Sequence, residues 1–136
     1  MITFTFTIHP GAIISANHRM HWARKAALTR DLRTRAAYAW MQQGRLRLDR
    51  ALCVVDVSYP DRRRRDVDNL TPTVKALIDG MVHPAAGVRG LLPDDSDDYL
   101  VGPDKRPTGV PMPGVYTLRL HFTELNPPAS SERTPS

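Results

Sequence analysis

Residues 51–82 read ALCVVDVSYPDRRRRDVDNLTPTVKALIDGMV, and the folding of this stretch decides the rest of the chain. Its first nine residues, 51–59, are apolar and β-branched enough for a central strand. Its end has a helical period: Val74, Leu77, Ile78 and Met81 fall at i, i+3, i+4 and i+7, one core-facing stripe. Thr71 offers an N-cap and Pro72 a first helical residue, where a missing N–H leaves nothing unpaired. The strand and the helix are separated by four arginines that run straight into two aspartates.

Outward from there the pattern is simpler. Residues 2–8 alternate Thr with Phe or Ile and predict a strand. A loop leads to a helix from about Trp22 to Gln43, with Leu28, Leu32, Ala36 and Ala39 or Trp40 as its apolar stripe and Gly44 as C-cap. Arg24, Lys25, Arg30, Arg33 and Arg35 take other faces, while Trp22 and Trp40 are expected to anchor the helix to the core. After residue 82 come a loop ending in acids, a short strand at 99–101 and a Gly/Pro-rich turn region at 102–114. Residues 115–123 form a last strand, and 124–136 have the composition of a disordered tail. The expected fold is a mixed α/β (α+β) domain over residues 1–123, with about four strands in one small sheet and two main helices.

Composition narrows the functional classes. The 136 residues are 41% hydrophobic and 24% charged, ordinary for a globular domain. No apolar run approaches the ~20 residues of a membrane helix, and the N-terminus lacks the basic start of a signal peptide. A lone Cys53 excludes an internal disulfide and a cysteine zinc cage, and is expected to be a buried small hydrophobe. These features fit the cytoplasm. Net charge is +5, unevenly spread: residues 15–50 carry nine basic and two acidic side chains. Such a field suits a surface that meets phosphates.

The chemistry concentrates at the aspartates. In extended backbone Asp66 and Asp68 would share a side, about 6.5–7 Å apart. Two carboxylates so placed can hold a hard divalent cation such as Mg²⁺, which keeps several waters and takes one or two carboxylates plus substrate phosphate. With a metal present, Arg62, Arg63, Arg64 and Arg65 would complete an anion receptor. The same run is equally readable as a solvated, salt-bridged turn. Asn69 can orient a ligating carboxylate or cap the next helix. Lys75, on a polar face of that helix, can reach a scissile phosphate or pair with Asp79 at i, i+4 for a few tenths of a kcal/mol. The cluster Asp94, Asp95, Asp97, Asp98 is an acidic turn by default, but a cation would relieve its repulsion.

Taken together, PDRRRRDVDNL, then VKALIDG, then GLLPDD at residues 90–95 resemble the RusA family of Holliday junction resolvases. The resemblance implies a metal site of Asp66, Asp68 and Asp95, with Lys75 as the essential lysine and Asn17 and Arg19 as the family's early Asn-x-Arg. It implies Mg²⁺, with Mn²⁺ able to substitute, no organic cofactor, and a homodimer acting on four-way or otherwise branched DNA. Arg19, Arg24, Lys25 and Arg62–Arg65 would hold the nucleic acid. Two departures stand out: the lysine follows the second aspartate by seven residues where the family has four, and Asp97 and Asp98 compete with Asp95. Other classes remain open. One is a non-catalytic, structure-selective DNA binder, and another a basic RNA-binding protein. A third is a His-metal nuclease built on Asn17, His18 and His21.

Overall fold

Alternation decides which side of each strand is buried. In β1 (Ile2–Ile8), Phe4, Phe6 and Ile8 are buried while Thr5 and Thr7 are exposed. The computed structural model describes residues 1–125, and their order is β1, α1 (Trp22–Gln42), β2 (Ala51–Ser58), α2 (Thr71–Val82), β3 (Leu100–Pro107) and β4 (Tyr116–Glu124). The four strands form one sheet in the order β1-β4-β2-β3. β4 is antiparallel to both β1 and β2, and β2 is parallel to β3. The parallel pair is joined through α2, because a parallel return needs a crossover. This is the expected mixed α/β domain of four strands and two helices.

The buried residues of all four strands join one core with both helices. In α1 the expected stripe is found: Leu32, Ala36 and Trp40 are buried and Leu28 and Ala39 packed at the margin. Val74, Leu77, Ile78 and Met81 of α2 are buried, as expected, and so are Ala76, Gly80 and Val82. Helix α2 is therefore apolar almost all round. Its backbone touches that of α1, where a Cβ on Gly80 would run into the carbonyl of Arg33. Along the sheet edge, Arg35 donates to the Thr7 carbonyl (2.9 Å) and Gln43 to that of Thr3 (3.0 Å). These bonds cover edge acceptors of β1 that would otherwise invite another strand. No helix among the described residues is long and apolar enough to cross a membrane.

Four local expectations are corrected. Residues 102–107, expected as turn, belong to β3. The strand tolerates Pro103 because β3 is an edge strand, and Gly102 (φ +103°) sits where a Cβ would strike the Cys53 carbonyl. Thr71 is the first residue of α2 rather than its cap, which is Leu70, without a side-chain bond. Asn69 therefore does not cap the helix; its backbone carbonyl accepts from Ala16 N–H (2.9 Å). Glu124 ends β4 and Leu125 N–H bonds the Arg50 carbonyl (2.9 Å), so the tail begins later than expected; residues 126–136 lie outside the described residues. Cys53 is fully buried, and burial pushes its thiol up to about 12.

Candidate metal and nucleic-acid site

The loop that carries Asp66 and Asp68 is not extended. A 3-10 turn spans Val67–Leu70, and the Asp66 carboxylate caps it by accepting from Asp68 N–H (2.9 Å). At three residues per turn, positions i and i+2 do not share a face. The two carboxylates accordingly have different surroundings. Asp66 lines a small pocket with Ser15, Tyr59, Asn69 and Tyr116, whereas Asp68 lies 3.9 Å from the Lys105 ammonium on β3.

The arginine run is equally divided. Asp61 at its head takes hydrogen bonds from Arg65 (2.6 and 3.1 Å) and from Arg63 (3.2 and 3.3 Å). These bonds hold the Asp61 carboxyl well below the usual carboxylate range. Arg65 is turned inward, 5.1 Å over the Tyr59 ring and 5.8 Å over Tyr116. Only Arg62 and Arg64 of the four are left without a carboxylate partner among the described residues. The salt-bridged turn is thus realised for half of the run.

Asp95 is where carboxylates meet. It lies beside Asp79, with the Lys75 ammonium 3.7 Å from each. Burial, and then the neighbouring Asp95, push Asp79 upward, while the neighbouring Asp79 pulls Asp95 down. Of the two, Asp79 is therefore the carboxyl that holds a proton more readily and Asp95 the one that ionises more readily. Of the two readings of Lys75, the ion pair with Asp79 is present, and Asp95 joins it. Lys75, Asp79, Asp95 and Lys105 line one pocket of about 170 Å³ between α2 and β3. Asp68 thus joins the same wall through Lys105.

Asp66, Asp68 and Asp95 are not gathered to within ligand distance of one another in this conformation. Among the described residues, the group of three whose ligand atoms all lie within 4.8 Å is His83, Asp94 and Asp95. His83 and Asp79 are the members that sequence reasoning missed. His83 had no informative spacing, and Asp79 had been placed only as an ion-pair partner. Asp97 and Asp98 are exposed and outside this group. The donor set fits a hard cation: carboxylate oxygens dominate it, and a divalent ion would relieve the crowding of negative charge at Asp94 and Asp95.

The remaining nominated residues sit around the start of α1. Arg19 is exposed in the preceding loop. Arg24 donates to the Gly11 carbonyl (2.9 Å), a bond that ties the helix to the β1 exit. Lys25 lines a separate groove with Trp22, Arg30 and Arg33. His21 caps α1 through Nδ1, accepting from Ala23 N–H (3.1 Å). Trp40 is buried as expected, but Trp22 is 77% exposed and anchors nothing. Compared with protein-family models and with curated proteins, the chain matches none.

Proposed function

We propose that the chain is a Mg²⁺-dependent endodeoxyribonuclease that cuts branched DNA, with the four-way Holliday junction as the substrate its RusA-like motif implies. The observation that supports this most is Asp95, a carboxylate shifted toward ionisation beside Asp79, with the Lys75 ammonium 3.7 Å from both. Asp95, with Asp94 and His83 beside it, would hold the ion, with Asp66 and Asp68 as the motif's further carboxylates and Mn²⁺ as a substitute. When bound, Mg²⁺ supplies charge neutralisation at the phosphate and a more acidic water. Lys75 places a cation where charge builds on the phosphate oxygens, a role worth roughly a hundredfold or more in rate. Lys105 holds Asp68 at the rim of the same pocket. A junction is cut on two opposed strands, and a twofold dimer offers two matching sites.

The engaged state of Asp61 and Asp68 in ion pairs favours a second reading, a structure-selective DNA binder without catalysis. One experiment separates them. A synthetic four-way junction and a linear duplex of matching sequence are incubated with protein, with and without Mg²⁺. Paired symmetric nicks on the junction alone, dependent on Mg²⁺, are the expected result. Junction binding indifferent to Mg²⁺ and free of nicks would establish the non-catalytic binder instead.

A further inference from the structure

A groove of about 1140 Å³ runs between one face of α1 and the segment that follows α2. Trp22, Lys25, Arg30 and Arg33 line it from α1 at i, i+3, i+8 and i+11, a single helical face. Arg89 and His83 line the opposite wall. Arg89 is fixed there by the Leu48 carbonyl (2.5 Å) and by Asp49 (3.7 Å). No Asp or Glu lines the groove, and Lys25, Arg30 and Arg33 have no carboxylate within 4.0 Å among the described residues. The α1 wall therefore carries cations without a direct carboxylate partner among the described residues, unlike Arg63 and Arg65 of the arginine run.

Trp22 adds a second requirement. Its indole is left in water at the first turn of α1, stacked only on His21 with ring centroids 5.7 Å apart. An exposed aromatic beside a row of cations is the pairing that unpaired nucleic acid calls for: cations follow the phosphates and the ring stacks a base. A duplex hides its base faces and cannot use the ring. The groove also leads toward the chemistry, since His83 lies 3.5 Å from Asp94, the neighbour of Asp95.

We propose that this groove seats an unpaired segment of a DNA strand, with phosphates on Lys25, Arg30 and Arg33 and a base on Trp22, and directs it to Asp95. The choice of DNA rests on the nuclease reading above. The groove itself would bind a strand with no metal present.

The test uses the full chain in EDTA, titrated with a 12-residue oligothymidylate, a 12-base-pair duplex and an oligouridylate, following tryptophan emission. Trp40 is buried and its indole N–H is bonded to the Leu46 carbonyl (2.7 Å), so it supplies a steady background. Oligothymidylate should quench the emission and bind about tenfold tighter than duplex. Trp22→Leu should lose the quench and about tenfold in affinity. Arg30→Ala, which spares the ring, should keep the quench and make the salt dependence shallower by about one unit of slope. Duplex binding as tightly as the single strand, uridylate binding more tightly, or quenching that survives Trp22→Leu would each overturn the proposal. So would a dimer that Trp22→Leu converts to monomer, because the groove would then be an interface between copies. Junction cleavage that survives while strand binding is absent sinks the groove and leaves the nuclease; strand binding without cleavage does the reverse.

Discussion

Two regions of this molecule are rich in positive charge, and they behave oppositely. In the loop, four consecutive arginines carry the highest charge density in the sequence, yet Asp61 takes up Arg63 and Arg65, and two tyrosine rings take up the face of Arg65. On α1, Lys25, Arg30 and Arg33 lie three to five residues apart along one groove, and none has a carboxylate within 4.0 Å among the described residues. A tight turn brings its own carboxylate within reach, whereas a helix holds like charges on a fixed pitch and offers them outward. Clustering in sequence therefore marks local structure here, and dispersal at helical spacing marks the free electrostatic surface.

The comparison can be broken in several ways. After Asp95 itself, the largest effect belongs to neither region but to Lys75, the cation beside it. Lys75→Ala should lower junction cleavage about 100-fold while gel-shift affinity changes little. Equal losses in both would mean that the lysine only binds. Next comes Gly80, which seats α1 on α2. Gly80→Ala should cost about 1–3 kcal/mol in urea unfolding, because the added methyl has only the Arg33 backbone to displace. An unchanged midpoint would show that the helices are free to part.

The direct contest follows. Replacing Lys25 and Arg30 together by Ala should weaken junction binding about tenfold and make the log–log salt slope shallower by about two. Replacing Arg63 by Ala should change affinity less than twofold, since that side chain is already engaged by Asp61. If Arg63 mattered as much as the helical pair, the contrast would be lost.

The smallest effects concern pH and have opposite signs. Hydrogen bonds from Arg65 and Arg63 hold Asp61 low, so its contribution to stability is present above the unfolded value near 4 and fades as pH falls toward the folded one. Asp61→Asn should destabilise at pH 7, with the difference shrinking in acid. Burial and Asp95 raise Asp79, so its ionisation opposes folding as pH rises above the unfolded value near 4 toward its higher folded one. Asp79→Asn should therefore raise the unfolding midpoint slightly at pH 7.5 and converge with the parent near pH 4. Midpoints that moved in the same direction for both variants would refute the assignment.

The fold was largely legible because periodicity is a strong signal. The Thr/Phe alternation of β1 and the Leu28–Leu32–Ala36 stripe of α1 needed no tertiary information. β3 was hidden because Gly102 and Pro103 carry turn chemistry, and only the edge position allows them in a strand. The site was legible in parts. Lys75 and Asp95 were nominated and do meet, but Asp79 and His83 join them through contacts that no spacing encodes. The Asp66–Asp68 pair was misread geometrically because the chain tightens into a 3-10 turn one residue after Asp66. Trp22 was expected in the core, yet it lies six residues, nearly two turns, before the apolar stripe begins at Leu28 and faces the groove.

The account turns on Asp95 as the carboxylate at which DNA is cut. Its most direct test is single-turnover cleavage of a four-way junction in Mg²⁺ by the parent chain and by Asp95→Asn, with both proteins saturating the DNA. The account predicts a loss of about a thousandfold in rate with junction binding kept or tightened, because one negative charge has gone. Cleavage by Asp95→Asn at close to the parent rate would contradict it.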